Sequence, residues 1–180
     1  MSIEESDLKL LLKALQFSAL KHRNQRRKDV DASPYINHPI SLASILCNEA
    51  HVTDIEVICG ALLHDTVEDT ETTPEELESE FGTTIKNIVM DVTDDTLLTR
   101  PERKQAQIDH AAHISDQAKL VKLADIISNL RDVSCNAPEC WSLDRCQEYF
   151  DWAKKVIDKV RGVNPTLENI FDEAYLQRPR

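Results

Sequence analysis

Apolar residues recur at helical spacing along almost the whole chain. Leu8, Leu11, Leu12 and Leu15 keep the i, i+3, i+4, i+7 pattern and predict a first helix running towards His22. Pro39 suits the first turn of a helix over 39–49. Thr53 or Asp54 can cap the next, a strongly apolar helix through Val57, Ile58, Ala61 and Leu62. Thr73-Pro74-Glu75-Glu76 reads as a capping box with proline at N1, and Gly82 stands where a helix would end. Further helices are predicted over 83–93, 102–112, 116–132 and 142–161. Gly162 stops the last of these, and Asn164-Pro165 opens a final one through Leu167, Ile170 and Phe171. No stretch alternates β-branched residues between turn pairs. The expected fold is all-α, a compact bundle of roughly eight to ten helices forming one domain over residues 1–180. The longest irregular pieces fall at 28–38, 94–101 and 133–141, the kind of segment on which functional residues concentrate.

Composition narrows the function classes. The 180 residues are 41% hydrophobic and 29% charged, too apolar for a disordered chain. No run approaches the length of a membrane span. The acidic, leucine-interrupted N-terminus does not read as a signal peptide, so the expected location is cytoplasmic. Three glycines, at 60, 82 and 162, exclude a dinucleotide fingerprint or a Walker loop. A net charge of −11, from 32 acids against 21 cations, speaks against nucleic acid as a partner. It leaves room for a small phosphorylated ligand, because local field counts for more than total charge in a cleft. The five cysteines contain no CxxC pair and are expected to be reduced, ordinary thiols. No membrane partner is expected, and a monomer is the default state.

The chemistry centres on Ala61-Leu62-Leu63-His64-Asp65-Thr66-Val67-Glu68-Asp69. An apolar helix suddenly carries four ionisable groups. At helical spacing His64 and Glu68 share one sector and Asp65 and Asp69 form a second row, all within roughly 140° of arc. A His-Asp pair is a mixed nitrogen and oxygen set suited to a divalent cation of intermediate hardness. His38, before Pro39, and Asp125, in an otherwise apolar helix, are suitable further ligands, since a buried carboxylate is costly unless bonded or coordinated. Asn129 lies one turn after Asp125. Lys21, Arg23, Arg26, Arg27 and Lys28 form a basic run without an acid, suited to phosphate or to stacking on a base. Arg145 and Tyr149, at i and i+4, share a face on which phosphate and base contacts can combine. Trp141 and Trp152 read as packing, and His22, His51, His110 and His113 as structural. Asp94, Asp95, Leu97 and Leu98 are placed to rim the site.

The order His…His-Asp…Asp resembles the HD-domain metal-dependent phosphohydrolases. Arg27-Lys28, Tyr35-Ile36-Asn37-His38-Pro39, Ala61–Thr70 and Lys122–Asp132 look like the hydrolase domain of the RelA/SpoT alarmone enzymes, and the length is similar to the small alarmone hydrolases of the metazoan SpoT-homologue type. The resemblance implies that His38, His64, Asp65 and Asp125 bind one Mn²⁺ per chain and that Glu68 and Asp69 act on the attacking water. It further implies that Asn129, Arg27 and Lys28 meet the nucleotide. The implied reaction removes the 3′-diphosphate of guanosine tetra- or pentaphosphate (ppGpp or pppGpp) as pyrophosphate, leaving GDP or GTP, with no synthetic activity. The segment from Lys28 to Pro34 is about two residues longer than in the long bifunctional enzymes, so base recognition can differ. Two alternatives stay open at this point. One is a phosphatase for another secondary ribose phosphate, such as the 2′-phosphate of NADPH. The other is a catalytically silent nucleotide-binding scaffold.

Overall fold

Helices account for nearly all regular structure in the computed structural model, which describes residues 4–138 and 140–180. In chain order these are α1 (Glu5–Lys21), α2 (Asn37–Ser44), α3 (Ile55–Leu63), α4 (Thr66–Asp69), α5 (Pro74–Val92), α6 (Arg100–His110), α7 (Asp116–Asn136), α8 (Leu143–Val160) and α9 (Pro165–Tyr175). The only β pairing among the described residues is one antiparallel bridge between Arg26 and Pro34. The all-α expectation holds.

The caps explain most boundaries. Asp54 Oδ1 accepts from the Glu56 amide at 2.9 Å, Thr73 from Glu76 at 3.2 Å, Ser142 from Arg145 at 3.2 Å and Asn164 from Leu167 at 2.9 Å. Each satisfies an otherwise unpaired first-turn N–H. Three boundaries depart from the sequence pattern. The helix expected over 39–49 starts earlier, at Asn37, and its last stretch widens into a π-turn over Ile45–Glu49. Gly82, at φ 83° and ψ 169°, bends α5 so that its two halves follow one another without a loop; this left-handed conformation favours glycine. α7 runs on to Asn136, taking up part of a segment expected to be irregular.

α3 is the central element, packed against α1, α2, α5 and α7. Every one of its residues from Val57 to Leu63 is buried. Gly60 permits the approach to α5: a Cβ there would stand 2.6 Å from Ile88 Cγ2. On the far side of α7, helices α8 and α9 close the core around Phe150 and Phe171, both fully buried. Burying each such ring contributes roughly 2–3 kcal/mol. The end of α3 and one polar stripe of α7 therefore meet deep in the molecule.

Candidate metal centre and substrate cleft

The helix read as continuous through Ala61–Asp69 breaks in the middle. α3 ends at Leu63, His64 and Asp65 form a turn, and α4 resumes at Thr66. The cause is side-chain competition for the last carbonyls of α3. His64 Nδ1 lies 2.8 Å from the Ala61 carbonyl, and Thr66 Oγ1 donates to the Leu63 carbonyl at 2.7 Å. The shared-sector arrangement expected of one helix is thereby replaced. His64 and Asp65 turn towards α2 and α7, while Glu68 and Asp69 sit on the separate short helix.

His38, His64 and Asp65 come together with ligand atoms all within 4.8 Å of one another. His64 Nε2 lies 2.8 Å and His38 Nε2 3.9 Å from Asp65 Oδ2, and Asp125 Oδ1 reaches His38 Nε2 at 3.2 Å. Orientation is fixed from behind. Donation from His64 Nδ1 to the Ala61 carbonyl leaves the Nε2 lone pair facing the group, and that Nε2 is buried with no hydrogen bond among the described residues. His38 Nδ1 faces Ser128 Oγ at 3.4 Å, again directing Nε2 inwards. The Tyr35 hydroxyl donates to Asp65 Oδ2, and Asn129 Nδ2 donates to Asp125 Oδ1 at 2.6 Å. Supporting bonds of this kind are what hold ligating histidines and carboxylates in register. Two buried imidazoles and two carboxylates, with one unsatisfied nitrogen aimed among them, fit a divalent cation.

The charges agree. Burial alone disfavours the His64 imidazolium, but the Asp65 and Asp125 carboxylates outweigh it and hold the pKa up to about 9. Burial pushes Asp65 up, but His64, His38 and the Tyr35 hydroxyl overcome this and keep it well below the usual carboxylate range. The pair of carboxylates thus demands compensating positive charge.

Glu68 and Asp69 lie beside this group in different surroundings. Glu68 is half-buried, and its Oε2 accepts from the Asp94 amide at 3.0 Å. Burial pushes its carboxyl up to about 7; the Asp94 amide pulls the other way, and the Asp94, Asp65 and Asp69 carboxylates reinforce the rise. Asp69 is exposed and accepts from Gln25 Nε2 at 2.8 Å. Two adjacent carboxyl groups are thus placed in contrasting environments, the usual way to separate proton-handling roles.

A cleft of about 350 Å³ opens next to Asp69, lined by Arg26, Arg27, Lys28, Tyr35, Asn129 and Tyr149 among others. Arg27 spans it: Nη2 donates to Asn129 Oδ1 at 3.0 Å and to Asp132 Oδ2 at 2.5 Å, and the guanidinium lies 5.8 Å from the Tyr35 ring centre. The basic run does not act as one patch. Lys21 is tied to Glu76 at 2.9 Å and Arg23 to the Leu20 carbonyl, so only its last three cations line the cleft. Arg145 is not among the lining residues; its guanidinium stacks 4.4 Å from the Trp141 ring centre. Trp141, read from sequence as packing, does line the cleft and meets Tyr149 edge-on at 5.7 Å. Gln25, Tyr35 and Asp132 were also missed. Asp132 was discoverable, since Asp125, Ser128, Asn129 and Asp132 form an i, i+3, i+4, i+7 stripe on α7.

A family model described as HD domain matches residues 14–148. The guanosine-3′,5′-bis(diphosphate) 3′-pyrophosphohydrolase MESH1 of Danio rerio is 54% identical over 173 residues, 96% of each chain. The protein of the same name from Homo sapiens is 51% identical, over 96% of this chain and 97% of its own. A solved metazoan orthologue of SpoT, which hydrolyses ppGpp, superposes with a TM-score of 0.92 at 46% identity, covering 99% of this chain and 98% of the other.

Proposed function

The chain belongs to the HD-domain family, and we propose that it is a metal-dependent phosphohydrolase that removes the 3′-diphosphate of guanosine tetra- and pentaphosphate, giving pyrophosphate and GDP or GTP. The observation that carries this reading is the contiguity of three parts: the His38–His64–Asp65 group, the Glu68–Asp69 pair, and a cleft lined by Arg27, Lys28 and aromatic rings. The near full-length likeness to proteins named for that activity supports the substrate.

His38, His64, Asp65 and Asp125 would hold the cation; mixed imidazole and carboxylate donors suit a divalent ion of intermediate hardness, and the family resemblance points to Mn²⁺. When bound, it supplies Lewis acidity and offsets charge developing on the phosphoryl oxygens. The remaining work falls to side chains. Glu68 takes the proton of the attacking water, for which a carboxyl near neutrality is suited. Asp69 orients that water. Arg27 and Lys28 engage phosphate, Arg27 with Nη2 already held by Asn129 and Asp132 and its other guanidinium nitrogens left for the ligand. Tyr149 and Trp141 offer rings for the base, and Arg145 braces Trp141 by stacking on it.

The test is product analysis. With Mn²⁺ present, guanosine 3′-diphosphate nucleotides should yield pyrophosphate, and the Glu68→Ala/Asp69→Ala double variant should lose turnover while keeping its metal. Orthophosphate as the sole product, or equal rates after chelation, would overturn the reading.

A further inference from the structure

His22 closes α1, and it is buried, although a histidine at a helix end commonly reaches solvent. Its Nδ1 lies 2.6 Å from Gln25 Oε1, and Gln25 Nε2 lies 2.8 Å from Asp69 Oδ2. The polarity of this chain is set from its far end. A carboxylate only accepts, so the Gln25 amide nitrogen faces Asp69 and the amide oxygen faces His22. Nδ1 is then the ring nitrogen that carries the proton. His22 Nε2 is buried and has no partner among the described residues, so no other hydrogen bond turns the ring.

The same ring also packs on Tyr35, centroids 4.8 Å apart and planes 32° from parallel. Tyr35 donates through its hydroxyl to Asp65 and through its backbone N–H to the Gln25 carbonyl at 3.2 Å. One buried imidazole therefore abuts the residue that holds Asp69 and the residue that holds Asp65.

We propose that His22 and Gln25 are positioning residues for the hydrolysis: His22 fixes the Gln25 amide, and Gln25 pins Asp69 Oδ2, leaving Oδ1 for the reacting water. Asp69 needs such a restraint because it is exposed and stands on a four-residue helix. A misplacement of about 1 Å at a reacting centre costs on the order of 100-fold in rate. The restraint is an amide rather than a cation. An arginine or lysine in its place would hold the carboxylate equally well but would neutralise the charge that orients water. The backbone N–H of His22 caps α1, donating to the Ser18 carbonyl at 2.9 Å, whereas its imidazole bonds no carbonyl of α1 among the described residues and is given over to Gln25.

The proposal rests on the hydrolase reading, and the two fail differently. An inactive parent would sink the reading, whereas a parent and Gln25→Ala variant of equal kcat would sink the chain. In the metal-loaded protein Gln25→Ala is expected to lower kcat about 10–100-fold, with KM changed less than about threefold and metal content intact. His22→Ala should act in the same direction, and the double variant should be no worse than Gln25→Ala, because His22 acts through Gln25. His22→Asn, whose amide nitrogen can occupy the Nδ1 position, should recover most of the His22→Ala loss. A readout independent of turnover is the ¹⁵N spectrum of the imidazole, which should show His22 protonated at Nδ1 and should change on Gln25→Ala. Multiplicative losses in the double variant, no rescue by asparagine, or a fall in melting temperature with unchanged kcat would each overturn the proposal. If His22→Ala does not fold, Gln25→Ala and Gln25→Glu carry the test, the latter expected to be the more damaging because it sets a second carboxylate against Asp69.

Discussion

Alanine in place of Gly60 tests whether the approach of α3 to α5 sets the metal centre. The added Cβ would stand 2.6 Å from Ile88 Cγ2 and 3.4 Å from Ile88 Cβ. Carbon atoms rest about 3.5–4.0 Å apart, so about 1 Å of separation has to be found. Ile88 cannot supply it by changing rotamer, because it is fully buried and a β-branched residue in a helix has essentially one χ1. α3 itself must move. Overpacking of this kind costs about 1–3 kcal/mol, and the helix preference of alanine over glycine returns about 1 kcal/mol. The net loss is then about 0–2 kcal/mol, a fall in Tm of up to about 8 °C at ~4 °C per kcal/mol. His64 and Asp65 follow directly on α3, whereas His38 and Asp125 belong to α2 and α7, so the shift should also weaken Mn²⁺ binding. Calorimetric melting in chelator gives the first quantity and titration calorimetry with Mn²⁺ the second. Ile88→Ala provides the control: it removes Cγ2, and in that background Gly60→Ala should become stabilising. A Gly60→Ala variant that melts higher than the parent, or costs the same in both backgrounds, would refute the reasoning.

Four further outcomes are expected. Glu68, with its carboxyl at about 7 against an ordinary 4.5, holds a proton in the folded state that the unfolded chain has lost between those values. Stability should therefore fall as pH rises through that window, and a chelated Glu68→Gln variant should not show the fall in urea titrations across pH. As a general base Glu68 must be ionised, so kcat/KM should rise with pH towards neutrality, and a rate flat from pH 5 to 8 would contradict its role. Arg27→Ala should raise KM more than it lowers kcat, and Arg27→Lys should not restore binding, since an ammonium held by Asn129 and Asp132 has neither a second nitrogen for phosphate nor a planar face for the Tyr35 ring. Chelation should lower Tm, and Mn²⁺ should restore it in a concentration-dependent way; a Tm unchanged by either would count against the site.

Helix positions were legible because apolar spacing and capping residues act locally. Asp125 stood out for a related reason, since a charged group in an apolar helix needs a partner wherever the fold places it, but the set His38, His64, Asp65 and Asp125 as a whole came from the family resemblance. The break after Leu63 was not. It arises because the side chains of His64 and Thr66 reach carbonyls that a continuous helix would have paired with amides, and the same residues tolerate either arrangement. The roles of Gln25, His22 and Tyr35 were equally hidden. They depend on the end of α1 meeting the short helix α4, an approach set by packing between elements distant in sequence. Trp141 reads as packing on its own, and only the position of α7 and α8 puts it on the cleft.

Charge was the least legible quantity, because pairing decides it. The basic run looks like compensation for a −11 chain meeting a polyphosphate. In the fold Lys21 and Arg23 are engaged elsewhere, and the cleft is lined by three cations, Arg26, Arg27 and Lys28, against three carboxylates, Asp29, Asp69 and Asp132. Arg27 is already paired with Asp132, and Asp29 with Ser33. Just beyond stand Asp65, Asp125 and Glu68. Protein groups alone therefore give a polyanion little net attraction at this end of the cleft. Binding of cation and nucleotide must then be thermodynamically linked, each favouring the other by the same factor. Arginine and lysine set where the phosphates lie, and the carboxylates, by requiring a cation, make their retention conditional on it.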